Sequence, residues 1–295
     1  MGNFVGHEQI WSRHRCEESV SILDDIVQAH RRVAAADDRP IDELVARARR
    51  TPPPRSFRSE LAPGRAVIAE IKRRSPSKGD LAPDLVPAVL AKAYAAGGAA
   101  CLSVLTDGEW FGGSAADLGD ARAACALPVL RKDFTVSERD VVDARTMGAD
   151  AVLLIVAALS DVELAGFCAL ARDLSLAALV EVHTHAELER ALAAGSDLIG
   201  VNQRDLTTFV VDRTLAARLR EHMPAGVVTV AESGIRDGRD ADELFGCGYD
   251  AILVGESLVT AADPAAAIRR LTRRPGGGAN VTRRPGGGAG MKGVR

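Results

Sequence analysis

The chain has 295 residues, 47% hydrophobic and 26% charged, with a net charge of −3. This is enough for one large domain or two small ones, in an ordinary soluble balance, with a core that needs no staples. The weak net charge argues against a whole surface built for nucleic acid, and the longest apolar run, nine residues at 151–159, is far too short to span a bilayer.

The five cysteines (Cys16, Cys101, Cys125, Cys168, Cys247) form no C-x-x-C pair and have no metal spacing with a histidine. They read as small buried hydrophobes with free thiols in a reducing compartment. The first residues lack the apolar core of a signal peptide, and Gly6 stands where a myristoylation site needs serine or threonine. The expected location is cytoplasmic, with no membrane or nucleic-acid partner; nothing sets an oligomeric state, and a monomer is compatible with the sequence.

In chain order, residues 1–20 read as a flexible N-terminus and 21–66 as a helical extension. Val20, Leu23, Ile26 (or Val27) and His30 share one face at helical spacing, and residues 40–50 repeat the pattern more briefly. The prolines of "TPPPRSF" then break any helix. From 67 to 271, apolar runs rich in Val, Ile and Leu recur about every 26 residues, the length of a strand, a helix and two short loops. The runs lie at 67–71, 100–105, 128–133, 151–156, 177–182, 198–202, 227–233 and 251–255, and read as strands buried on both faces. Eight such units predict an α/β fold, a (β/α)8 TIM barrel. A doubly wound open sheet would put a Gly-rich phosphate loop after its first strand; "KRRSPSKG" stands there instead. From Thr272 to the end, "TRRPGGGA" occurs twice, with six cations and no carboxylate, and reads as a disordered tail.

In such a barrel the active site lies at the carboxyl ends of the strands. The polar residues there are Glu70 and Lys72 on the first, Lys132 and Asp133 on the third, Glu181 and then His183 on the fifth, Asn202 and then Arg204 on the sixth, Glu232, Ser233 and Gly234 on the seventh, and Gly255 and Glu256 on the eighth. Unpaired buried charges cost several kcal/mol, so these groups must converge on one polar site. Lysines and glutamates sharing a partly dry pocket shift each other's proton affinities, the basis of general acid–base work. His183 and His185, at the start of a helix, read as surface residues. Gly234 and Gly255 let backbone amides approach an anion, in the two loops where barrels commonly hold phosphate. A small phosphorylated substrate is expected.

"AEIKRRSPSKG", "LSVLTDGEWFGGS", "LPVLRKDF", "GADAVLLIVAAL", "ALVEVH", "IGVNQRDL", "VAESGI" and "AILVGESL" stand in the order and spacing of indole-3-glycerol phosphate synthase. The resemblance runs from about Ser21 to Leu271 and includes the helical extension. It implies a lyase of tryptophan biosynthesis, needing no cofactor and no metal, that converts 1-(2-carboxyphenylamino)-1-deoxyribulose 5-phosphate to indole-3-glycerol phosphate, carbon dioxide and water. By resemblance, Lys132 looks like the acid on the ketone oxygen and Lys72 like a second ammonium. Glu70 and Glu181 look like proton-shuttling carboxylates, and Asn202 like a positioning residue. Ser75 and Arg204 look like contacts to the anthranilate carboxylate, Glu232 and Ser233 like ribulose contacts, and Gly234, Gly255 and the Glu256 amide like a phosphate cradle. The cationic loop after the first strand would then be a flap over a doubly anionic substrate. Glu256, where some relatives have serine, must turn its carboxylate away from a phosphate. A phosphoribosylanthranilate isomerase-like barrel would carry cysteine and aspartate where Glu70/Lys72 and Asn202 stand. A non-catalytic partner subunit would be expected to have lost the set.

Overall fold

The structure is a computed structural model that describes residues 22–273. The expectations for residues 1–20 and for the tail beyond Arg273 lie outside these. Eight parallel strands close into a barrel in sequence order: Ala66–Ile71, Cys101–Leu105, Val129–Lys132, Ala151–Ile155, Ala177–Val182, Leu198–Asn202, Val228–Glu232 and Ala251–Val254. The last pairs with the first, Ala66 opposite Ala251 and Ala69 opposite Val254. The TIM barrel is present, and each apolar run is one of its strands.

Strand alternation divides each run between two cores. Ile68, Leu130, Leu179, Leu198, Val230 and Leu253 point inward and fill the barrel with Cys101 and Leu153. Val67, Ala69, Val180, Ile199 and Val201 point outward beneath the helices. Burying each such side chain stabilises the fold by about 1.5–3 kcal/mol. The same alternation aims the chemistry. Residues two further along from inward-facing ones are Glu70, Lys132, Glu181, Glu232 and Gly255, so the inner face changes from hydrocarbon to charge within one step.

Among the described residues, three helices precede the barrel. Phe57–Leu61 seals the amino-terminal mouth with Phe57 and Leu61. Ile41–Ala48 packs on the barrel helix Glu138–Thr146, with Arg39 paired to Asp143 at 2.7 Å beside them. Ile22–Ala35 lies across the carboxyl-terminal mouth. It is latched by His30 Nε2, 3.1 Å from Asp107 Oδ2, and by Arg31, 2.8 Å from Glu163 Oε1. The final helix, Pro264–Thr272, runs one residue into the segment expected to be tail. Two thiols depart from the buried expectation: Cys247 is exposed and Cys125 half-buried, while Cys101 and Cys168 are buried.

The His30 latch carries a pH prediction. Burial alone would lower the imidazole's proton affinity, but Asp107, Asp133 and Asp140 outweigh it and raise it above the ordinary value. A raised value in the docked state means the latch is fully present below about pH 6.5 and is lost as pH rises through the docked value. Amide exchange along Ile22–Ala35, corrected for intrinsic rate, should therefore lose protection on the alkaline side. His30→Ala should abolish that dependence. Equal pH dependence in both proteins would contradict the latch.

Candidate active site

The first strand places Glu70 and Lys72 on one face, and their side chains pair at 2.6 Å (Oε1 to Nζ). Glu70 Oε2 also lies 3.5 Å from the hydroxyl of Ser103, its register partner on the second strand. Burial pushes the Glu70 carboxyl up, but Lys72 and Lys132 outweigh it and hold it below its usual range.

The loop that follows is a short antiparallel hairpin, Arg74–Ser75 against Gly79–Asp80. Two of its cations are engaged away from the cleft. Arg73 makes a fork on Asp117 at 2.5 and 2.9 Å, and Arg74 donates to the carbonyls of Glu109 and Trp110. Both guanidiniums tie the hairpin to the loop after the second strand, as bidentate geometry suits them to do. Only Ser75, Pro76, Ser77 and Lys78 of the hairpin turn to the cleft. Lys78 reaches Glu256 Oε1 at 3.6 Å, so the Glu256 carboxylate is occupied with a hairpin cation.

Lys132 ends the third strand and stands 3.6 Å from Glu181 Oε2. Glu181, on the fifth strand and 1% exposed, accepts from Asn202 Nδ2 at 3.0 Å. The Asn202 amide is oriented in turn by the backbone N–H of Arg204, which donates to its Oδ1 at 3.1 Å. The Arg204 guanidinium lines the cleft and donates to the Phe209 carbonyl. Burial pushes the Glu181 carboxyl up, but Lys132, His183 and Asn202 overcome this and hold it well below its usual range. For Lys132, burial works against the charged form, while Glu181, Glu232 and Glu70 raise its proton affinity.

Glu232, on the seventh strand opposite Asn202, differs from the other two carboxyls. Its Oε1 has no hydrogen-bond partner and fills the space where a side chain on Gly200 would stand. Burial, Glu181 and Glu70 push its proton affinity well above the ordinary value, against the pull of Lys132. The site therefore contains three carboxyl groups and two lysines.

The loops after the last two strands differ in character. Ser233 and Gly234 both take positive φ, +68° and +76°, and Gln203 Nε2 donates to the Ser233 carbonyl at 2.9 Å. Left-handed backbone at a residue with a Cβ costs of order 1 kcal/mol or more and clusters at functional sites. Gly255 has ordinary φ, so its backbone conformation does not call for glycine; the space beside Glu70 does. A Cβ there would collide with Glu70 Oε1 and lie 3.2 Å from Lys72 Nζ. The short helix Glu256–Val259 starts immediately after it.

These elements enclose a cleft of about 470 Å³. Beside the ionisable groups, the lining has an apolar part: Leu105, Phe111, Phe134 and Phe209, with Ile22, Leu23 and Ile26 of the first helix. All twelve expected site residues line the cleft. A group that could ligate a metal, His30, Asp107 and Asp133, lies nearby with ligand atoms within 4.8 Å of one another. Each is already engaged: His30 with Asp107, Asp133 with Arg131 and Thr106, and Asp107 with the amides of Trp110 and Phe111.

Several cleft groups were missed from sequence. Arg213 and Arg236 both bind Asp240 beside Gly234, and Arg213 also donates to the Gly234 carbonyl at 2.9 Å. His183, read as a surface residue, is only 12% exposed and touches Glu181, whereas His185 is half-exposed as expected. No helix among the described residues is long and apolar enough to cross a membrane.

The profile of the indole-3-glycerol phosphate synthase family matches residues 23–271. Indole-3-glycerol phosphate synthase 2 of Streptomyces coelicolor is 53% identical over 245 residues, covering 83% of this chain and 94% of that protein. The indole-3-glycerol phosphate synthase of a Nocardioides species is 50% identical over 259 residues, covering 86% and 98%. Among solved structures, thiamine phosphate pyrophosphorylase from Pyrococcus furiosus aligns with a TM-score of 0.55 and 19% identity, over 73% of this chain and 96% of that one; this likeness concerns the fold alone.

Proposed function

The chain belongs to the indole-3-glycerol phosphate synthase family, and on that premise we propose how its cleft closes an indole ring. The substrate is 1-(2-carboxyphenylamino)-1-deoxyribulose 5-phosphate. Its aromatic ring lies against Phe111, Phe134 and the first helix, and its phosphate lies at the loops carrying Gly234 and Gly255. The nearby guanidiniums of Arg213 and Arg236 and the open backbone of Ser233–Gly234 support that orientation. In this reading Ser75 and Arg204 meet the ring carboxylate, and Glu232 and Ser233 the ribulose hydroxyls.

The observation that carries the reading is the Lys132 ammonium set over the Glu181 carboxylate, with the Glu70–Lys72 pair in the same cleft. Lys132 gives a proton to the ketone oxygen as the ring carbon bearing the carboxylate attacks the ketone carbon. A carbon–carbon bond forms, and the ketone becomes a hydroxyl. Loss of carbon dioxide then returns the electron pair of the broken bond to the ring. The hydroxyl leaves as water on protonation, and a carboxylate, Glu181 or Glu70, removes the proton whose loss completes the indole double bond. Each proton transfer is worth roughly 10²–10⁴ in rate. The work takes place on a soluble phosphorylated intermediate, so we place it in the cytoplasm, within tryptophan biosynthesis.

The test is direct: the purified chain, given this substrate, should generate indole absorbance. Saturable binding of the substrate without any indole would move the function to the non-catalytic barrel.

A further inference from the structure

The candidates outside the assigned set narrow to one group. His183 does not line the cleft, yet its ring stands between two carboxylates. Nε2 lies 3.3 Å from Glu181 Oε1, and Nδ1 lies 3.2 Å from Glu187 Oε2. The Nε2 contact is at ion-pair distance but is not aligned as a hydrogen bond, so that nitrogen is buried with Glu181 as its nearest charge.

The way Glu187 is used argues that this arrangement is built. Four barrel helices begin with a hydroxyl residue followed three positions later by an acid; in Ala115–Ala124 the acid, Asp117, is held by Arg73. In Glu138–Thr146 and Asp161–Asp173 the acid closes the reciprocal box: Ser137 N–H donates to Asp140 at 2.9 Å and Ser160 N–H to Glu163 at 2.8 Å. In His185–Ala193, Thr184 accepts from the Glu187 amide in the same way, at 3.1 Å. The Glu187 carboxylate takes the backbone N–H of His183 at 2.7 Å, as Asp140 takes that of Val136 at 3.0 Å, but it also holds the His183 imidazole at Nδ1. The helix gives up one capping bond, and a histidine ring is fixed against Glu181.

We propose that His183 is a positioning residue, an imidazolium anchored by Glu187 that aims the Glu181 carboxylate and keeps it ionised beside Lys132. The inference deepens the synthase reading and rests on it. The groups facing Glu181 and His183 are Lys132 from the third strand, Glu70 and Lys72 from the first, Glu232 from the seventh, Asn202 from the sixth and Glu187 from the helix. His183 and Lys132 are the cations in contact with Glu181. Burial favours the neutral ring, but Glu181 and Glu187 raise its proton affinity to about 10, so the charge persists across the working range.

The signs follow. Lysine and imidazolium together depress the Glu181 value; without the imidazolium it rises. In His183→Asn, the acidic limb of kcat should move alkaline by about 1–3 pH units, with KM unchanged because His183 does not touch the cleft. In Glu187→Gln, the amide oxygen still accepts the Nδ1 proton but the charge is gone. The ring then loses its proton at lower pH, and kcat should fall on the alkaline side instead. A purely structural histidine would give neither shift, and wild-type pH profiles in both variants overturn the proposal. Imidazole chemical shifts supply a readout independent of turnover and of whether His183→Asn folds. The His183 ring should stay protonated past pH 8 in the wild-type chain and titrate earlier in Glu187→Gln. Titration near the ordinary 6.5 in the wild-type chain overturns the proposal. If the wild-type chain makes no indole, the synthase reading fails, and the imidazole titration still decides the anchored cation.

Discussion

Replacing Lys132 with alanine is expected to lower kcat by about 10²–10⁴, the usual worth of a positioned proton donor, while KM changes little. The barrel should remain folded, because the Glu181 carboxylate that faced the ammonium keeps Asn202 and His183 as partners. Lys132→Arg separates charge from proton transfer. A guanidinium preserves the cation, but its pKa makes it a poor donor, so the arginine variant should resemble the alanine one. Recovery of most of the activity in Lys132→Arg would reduce Lys132 to an electrostatic role. The measurement is steady-state indole formation for both variants across pH 6–9.

Gly255→Ala is the second large effect. The added methyl would meet the Glu70 carboxylate, whose Cδ lies 3.2 Å away, and the Lys72 ammonium at the same distance. The obstructing atom is the far end of a side chain, and φ at Gly255 is −116°, which alanine accepts. Stability should therefore be nearly unchanged, but the Glu70 carboxylate must swing away and break its 2.6 Å pair with Lys72. A displacement of about 1 Å in such a group costs about 10² in rate. The account predicts that loss in kcat. A raised KM with kcat intact would mean that the glycine serves phosphate approach instead.

These residues differ in how much the sequence reveals of them. The barrel is legible because strands buried on both faces are continuous apolar runs, and a charge ending such a run, as Glu70, Lys132 and Glu181 do, has few places to go but the mouth. What escapes is pairing across long separations. Arg73 and Arg74 look like anion-binding cations until Asp117 and the carbonyls of Glu109 and Trp110, 35 or more residues away, claim them. His30 meets Asp107 across 77 residues, bringing its helix over the cleft. Gly255 was legible as a site residue, but its space constraint was not, since nothing local says that Glu70 will occupy the space beside it. His183 was hidden by a local signal: Thr184 and Glu187 spell a capping box, and only the coordinates reveal that the carboxylate serves the histidine.

The most direct test of the central claim is a single-turnover reaction with enzyme in excess over 1-(2-carboxyphenylamino)-1-deoxyribulose 5-phosphate, following carbon dioxide and indole together. The account predicts equal yields from the wild-type chain, and bound but unreacted substrate from Lys132→Ala. Carbon dioxide without indole, or undiminished turnover by the variant, would contradict a cleft in which Lys132 drives ring closure.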